Sequence, residues 1–62
     1  MKQESVIIKD GKALKVYFNR DGHTVMVIPV RFEGEAKKLK EHWELGANQA
    51  GIALLAKSLG VI

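Results

Sequence analysis

The fold of this chain is decided by residues 12–30, which read KALKVYFNRDGHTVMVIPV. Two runs rich in Val, Tyr, Phe, Thr and Ile, residues 12–18 and 23–30, flank an Asn-Arg-Asp-Gly turn, and this pattern predicts two strands of a β-hairpin. Upstream, residues 5–8 form a third apolar run that is followed by an Asp-Gly pair. Asp bonds readily to nearby backbone and Gly adopts positive φ at low cost, so a second hairpin is predicted there. These residues are therefore expected to form a three-stranded antiparallel meander.

Both hairpin loops are predicted to hold three residues, ending in Gly11 and Gly22 in the left-handed conformation. This register sets Ile8 opposite Lys12 and sorts the side chains onto two faces. The first face is predicted to collect Val6, Ile8, Leu14, Val16, Phe18, Met26 and Ile28. The second face is predicted to carry Ile7, Ala13, Lys15, Tyr17, Val25 and Val27.

From Glu35 onward the apolar period changes from that of a strand to that of a helix. Apolar side chains recur on one side at Ala36, Leu39 and Trp43, while charged residues cover the rest. The pattern predicts an amphipathic helix that stops at Gly46.

A second helix is predicted from an N-cap at Asn48 to Leu59, and it is apolar nearly all round. Such a helix must be buried, and a small sheet with one short helix is expected to cover it incompletely. A chain of 62 residues without cysteine is also marginal in stability, so we expect a homodimer in which the second helices pack together. The alternative is that this helix lies across the sheet of its own monomer. The predicted dimer or partner interface consists of Val25, Val27, Ile52, Leu55 and Leu59.

Together these elements predict one α+β domain over residues 1–62, in the order βββαα. No apolar run approaches the roughly 20 residues that span a bilayer. The first residues lack the apolar region of about 7 to 15 residues that a signal peptide contains. With no cysteine in the chain, we expect a soluble, cytoplasmic protein without a membrane partner.

The net charge of +3 lies entirely in residues 1–32, which hold six basic and three acidic groups. A basic excess on strands that also carry an aromatic side chain favours DNA contact through a sheet. The predicted nucleic-acid-binding residues are Lys12, Lys15, Tyr17, Arg20 and Arg31. The leading hypothesis is a small dimeric transcription regulator that binds DNA through this basic sheet face.

The alternative hypothesis is a small inhibitor or adaptor that docks on another protein. Residues 24–30 are apolar on both faces and would form an exposed edge strand, which can recruit a partner although Pro29 removes one donor. The apolar second helix is the other candidate surface. Salt separates the hypotheses, because phosphate contacts weaken steeply as salt rises.

No pattern in the chain predicts catalysis or metal binding. His23 and His42 lack metal-site spacing, and the chain has no cysteine. Ser5 and Ser58 lie in no nucleophile motif, and the six glycines form no phosphate-binding pattern. The remaining enzymatic alternative is a ribonuclease that uses His23, but no second acid or base is placed beside it. We therefore predict no enzyme activity, no metal and no cofactor.

Overall fold

Three strands and two helices follow one another in a computed structural model that describes residues 2–62. This order confirms the predicted α+β fold. The strands form one antiparallel sheet with the middle strand in the centre. The elements are β1 (Gln3–Asp10), β2 (Ala13–Arg20), β3 (His23–Val30), α1 (Glu33–Glu44) and α2 (Gln49–Ser58).

The loop between β1 and β2 holds two residues, Gly11 and Lys12, rather than the three that were predicted. Gly11 has a φ of 63° and Lys12 is outside the positive-φ region, as in a type II′ turn, which places glycine first. Asp10 consequently pairs with Ala13, and β1 is shifted by three residues from the predicted register.

This shift exchanges the two faces of β1, because an odd displacement turns each side chain to the opposite side of the sheet. The predicted placement of β1 is therefore wrong. Ile7 lies opposite Val16 and packs against the core. Val6 and Ile8 lie on the other side and are 45% and 44% exposed.

The loop between β2 and β3 also holds two residues, Asp21 and Gly22, with φ values of 52° and 83°. Two positive φ angles in an Asp-Gly pair are typical of a type I′ hairpin turn. Arg20 pairs with His23, and a β-bulge beyond that pair leaves Val25 without a direct partner on β2. After the bulge the register differs from the predicted one by two residues. This even displacement leaves the predicted faces of β2 and β3 unchanged.

The hydrophobic core lies between one face of the sheet and the two helices. Trp43 is its largest fully buried side chain, and the apolar stripe predicted for α1 faces inward. The buried apolar residues are Leu14, Val16, Phe18, Ile28, Val30, Ala36, Leu39, Trp43, Ile52 and Ala56.

The predicted stop of α1 and the predicted N-cap of α2 are confirmed, while α1 begins at Glu33 rather than Glu35. The Asn48 side chain accepts a hydrogen bond from the Gly51 amide at 2.7 Å and caps α2. Gly46 follows α1 with a φ of 107°, and its amide donates to the Trp43 carbonyl at 3.0 Å. This bond belongs to a Schellman motif, which turns the chain sharply from α1 towards α2.

Helix α2 packs against the core of its own chain through one side, as the alternative predicted, and pairing of two copies stays a prediction. Ile52 and Ala56 are fully buried in the core. Gln49 at the start of α2 donates to the Val25 carbonyl at 3.1 Å, and Arg31 donates to the Gly60 carbonyl at 3.3 Å, so α2 runs alongside β3. Within residues 2–62, neither helix has the length and apolar character needed to cross a membrane.

Candidate binding surface of the sheet

The side of the sheet opposite the helices has no covering layer among residues 2–62; we call it the open face. Alternation along the strands and the observed register assign its members. They are Glu4, Val6, Ile8, Asp10, Ala13, Lys15, Tyr17, Asn19, Thr24, Val25, Val27 and Pro29.

The centre of the open face is apolar. Val6, Tyr17 and Val27 form one row of direct cross-strand partners. Side chains in such a row lie about 5 Å apart and interact with one another. Val25 and Val27 are 36% and 43% exposed, and Tyr17 is half-buried between its neighbours. The centre therefore offers aliphatic side chains around one aromatic ring.

A shallow depression of about 300 Å³ crosses this apolar centre. Its walls are Val6, Ile8 and Tyr17, and its polar end is formed by Asn19 and Thr24. The Thr24 hydroxyl donates to the Asn19 side-chain oxygen at 2.6 Å, so this polar end is held by an internal hydrogen bond. The depression can receive an apolar side chain from a partner.

Helix side chains occupy backbone carbonyls on both outer strands of the sheet. Lys40 donates to the Ser5 carbonyl of β1 at 2.9 Å. Gln49 donates to the Val25 carbonyl of β3 at 3.1 Å. Pro29, on the same strand, has no backbone N–H to donate. An added strand needs a row of free backbone groups. One carbonyl of each outer strand is thus engaged, so a strand added along the full length of either edge would have to displace Lys40 or Gln49.

The five predicted nucleic-acid-binding residues do not share one surface. Lys15 and Tyr17 lie on the open face, and Lys12 lies in the first turn. Arg20 points to the helix side, where its guanidinium lies 5.1 Å from the centre of the Trp43 ring.

The remaining member of that set, Arg31, follows β3 and is tied to the helical layer. Its guanidinium donates to the Gly60 carbonyl at 3.3 Å and lies 3.7 Å from the Glu35 carboxylate. The Arg31 guanidinium is therefore partly engaged by Gly60 and Glu35 and is less available to contact a phosphate. The open face itself carries Lys15 together with the acidic Glu4 and Asp10.

The predicted interface set is divided as well. Val25 and Val27 are available on the open face, whereas Ile52 is wholly enclosed in the core. Leu55 and Leu59 are half-buried against that core.

Sequence reasoning missed Val6 and Ile8 as members of this surface, because the predicted register put both residues on the core side. The type II′ signal, a glycine at the first loop position, could have found them.

Ser5, Lys40 and Glu44 form a polar cluster that joins β1 to α1 and that the sequence did not indicate. The Ser5 hydroxyl donates to the Glu44 carboxylate at 2.9 Å, and the Lys40 ammonium donates to the same oxygen at 2.8 Å. The hydrogen bond from Lys40 lowers the pKa of Glu44 below its ordinary value. A carboxylate with a lowered pKa is a weak base at neutral pH, so the cluster fastens the helix to the sheet rather than activating the serine.

The two histidines lie apart from any metal-binding arrangement in the described residues. His42 donates from Nδ1 to the Lys38 carbonyl one turn earlier in α1, at 2.9 Å. His23 is exposed at the start of β3, next to the second turn.

The open face thus carries four exposed aliphatic side chains on a side of the sheet that no described helix covers, namely Val6, Ile8, Val25 and Val27. Comparison of the chain with protein-family models, with curated proteins and with solved structures finds no match.

Proposed function

We propose that this chain is a protein-binding domain, an adaptor or inhibitor whose open face docks on an apolar surface of another polypeptide. The observation that carries the proposal is the exposure of Val6, Ile8 and Val27, each above 40%, on one sheet face on either side of Tyr17. An antiparallel sheet with one face in water usually presents polar side chains there. Contiguous exposed apolar side chains of this kind mark interaction sites.

Burial of the aliphatic side chains accounts for part of the binding energy. Full burial of a Val or Ile side chain contributes about 1.5–3 kcal/mol, so completing the burial of one that is already half-buried contributes about 1 kcal/mol. Val6, Ile8, Val25 and Val27 together contribute roughly 4 kcal/mol. This amount only matches the lower estimates of the free-energy cost of association. A partner must therefore also cover the Tyr17 ring, and aromatic side chains of this type often dominate binding energy.

The charges favour a protein over DNA as the partner. Lys15 on the open face is accompanied by Glu4 and Asp10, and negative groups repel phosphates. Arg20 lies against Trp43 on the far side of the sheet. The prediction of DNA binding would require Lys12 and Lys15 to supply most of the phosphate contacts.

The proposal is tested by placing a photo-crosslinking amino acid at position 17 in cells that express the protein. The matched control places the same group at position 37, an exposed lysine on α1. We expect discrete protein adducts from position 17 and none of the same mass from position 37. The adducts should survive nuclease treatment and form equally at low and moderate salt.

Three outcomes would overturn the proposal. Adducts from position 17 that disappear on nuclease treatment and on the Lys15→Glu change would show a nucleic-acid partner. Equal adducts from both positions would show non-specific contact. No adduct from position 17, with the fold intact by Trp43 fluorescence, would remove the open face as a docking surface.

A further inference from the structure

We propose that the occupant of the open face is a second copy of this chain, stacked sheet against sheet. The inference rests on the proposed function, because it names a second copy as the partner of the same surface; the dimer would have to dissociate before a different protein could dock there. The resulting dimer would have four layers, helices outside and two sheets inside. This differs from a dimer formed through α2, whose residues Ile52 and Ala56 are enclosed within one chain.

The area of the open face suits such a dimer. Three strands of eight residues form a sheet of roughly 14 by 26 Å. Two such faces brought together remove on the order of 1,000 Å² of accessible surface from water, which reaches the lower limit for a specific interface. The dimer should therefore dissociate in the micromolar range or above.

The charge on the open face is balanced when Lys2, which lies beside the face, is counted with it, although the whole chain carries +3. Lys15 and Asp10 lie towards the first turn, and Glu4 at the other end is 3.9 Å from Lys2. Among the described residues, these are two basic and two acidic groups. Two copies can thus meet here without bringing their net positive charges together.

The register also selects one arrangement of the two sheets. A two-fold axis along the strands would set Lys15 against its own counterpart. An axis across the strands, at the level of Val16 and its direct partners, instead sets Lys15 against the second copy's Tyr17. An ammonium group over an aromatic ring is attractive. The same axis sets Val6 against the second copy's Ile8. It also sets Glu4 against Asp10 at both ends of the interface, where these exposed like charges are screened by solvent and salt.

The strand edges support stacking over lateral pairing. Lys40 and Gln49 engage carbonyls of the two outer strands, at Ser5 and Val25. Joining two copies edge to edge through either carbonyl would require breaking these hydrogen bonds. Stacking face to face leaves them intact.

Sedimentation equilibrium from about 1 µM to 1 mM tests the inference with four samples: the wild type, Val27→Lys, Val27→Glu and an equimolar mixture of the two variants. The matched control is Leu54→Lys, which changes a 69% exposed leucine on α2. Trp43 fluorescence verifies that each variant is folded.

We expect the wild type and Leu54→Lys to dimerise with dissociation constants within 3-fold of each other. Each Val27 variant should dimerise at least 100-fold more weakly, because it places like charges in the shared interface. The mixture should recover most of the loss by forming mixed dimers with opposite charges.

A wild type that remains monomeric at 1 mM would overturn the inference, as would dimers lost on Leu54→Lys but kept by both Val27 variants. If the wild type is monomeric at 1 mM but position 17 still forms protein adducts in cells, the proposed function stands and the partner is a different protein. A wild-type dimer without those adducts in cells would contradict the proposed function separately.

Discussion

The two faces of the sheet are made from alternate residues of the same strands, yet they differ in what covers them. On the helix side of β2, Val16 and Phe18 are completely buried. On the open side of the same strand, Tyr17 is half-buried, and its cross-strand partners Val6 and Val27 are more than 40% exposed. One face thus forms part of the protein core, while the other has an uncovered apolar centre with charged and polar side chains around it.

This difference separates the residues that stabilise the fold from those available for binding. Burial of apolar surface is the main stabilising term in a domain of this size, and the helix side supplies most of it. Side chains of the open face are only half-buried by folding of the single chain and gain less from it. Substitutions on the two faces should therefore have different consequences.

The largest expected effect comes from truncating the core side of β2. Phe18→Ala should lower the free energy of unfolding by about 3–5 kcal/mol, because it removes a fully buried ring. A domain of this length has a total stability of roughly 3–9 kcal/mol, so much of the variant would be unfolded. Urea denaturation at low protein concentration, followed by Trp43 fluorescence, measures the change.

The matched control for that experiment is Tyr17→Ala on the open face, which should cost about 1–2 kcal/mol under the same dilute conditions, because a half-buried ring loses its contacts with Val6 and Val27. Equal losses in the two variants would contradict the separation between the faces.

A smaller effect is expected where α1 meets the bulge. The Trp43 indole donates to the Asn19 carbonyl at 2.9 Å, next to the irregular register between β2 and β3. Trp43→Phe would keep a ring against Phe18 but leave that carbonyl without its donor, at a cost of about 1–3 kcal/mol. Thermal melts followed by circular dichroism measure the loss. A phenylalanine variant as stable as the wild type would show that this hydrogen bond contributes nothing.

Loss of the α2 cap should have a local effect on the covered face. Asn48→Ala removes the acceptor for the Gly51 amide and should cost about 1 kcal/mol. Amide hydrogen exchange in the first turn of α2 should become faster. The neighbouring Gln49→Ala change, which removes a hydrogen bond to Val25, is expected to cost less and serves as the control. Unchanged exchange in the Asn48 variant would argue against the cap.

The smallest effect concerns the cluster that fastens α1 to β1, and it depends on pH. Hydrogen bonding to Lys40 lowers the pKa of Glu44 from its ordinary value of 4.5. The charged carboxylate therefore stabilises the fold above pH 4.5, and this contribution disappears as the pH falls through the lowered value. Since the side chain is 40% exposed, the contribution should stay below about 1 kcal/mol.

That prediction is measured as the difference in melting temperature between the wild type and Glu44→Gln. The difference should be present at pH 7 and shrink towards zero near pH 3. A difference of the same size at both pH values would mean that the carboxylate charge has no role.

Local signals in the sequence were sufficient for the type and order of the elements, for the stop of α1 and for the cap of α2, whereas β1 is longer than predicted and α1 begins two residues earlier. Helix α1 is marked by its apolar stripe, and Asn48 and Gly46 act through neighbouring backbone. The register of β1 could not be predicted in this way. Val6, Ile7 and Ile8 are all apolar, so they show no alternation that could assign either face to the core. Only the turn geometry decides between them.

The candidate surface could be predicted in part for the same reason. Tyr17, Val25 and Val27 were assigned correctly to one face, since the register of β2 and β3 differed from the predicted one by an even number of residues. The position of Arg20 over Trp43 depends on packing between elements far apart in sequence, which local patterns do not report.

The stacking of two open faces is tested most directly by an isotope-filtered NMR experiment on a mixture of labelled and unlabelled protein near 1 mM. We expect intermolecular contacts from the Tyr17 ring to valine and isoleucine methyl groups of the other copy. Intermolecular contacts that arise from Leu45 and Leu54, with none from Tyr17, would place the interface on the helical side and contradict it.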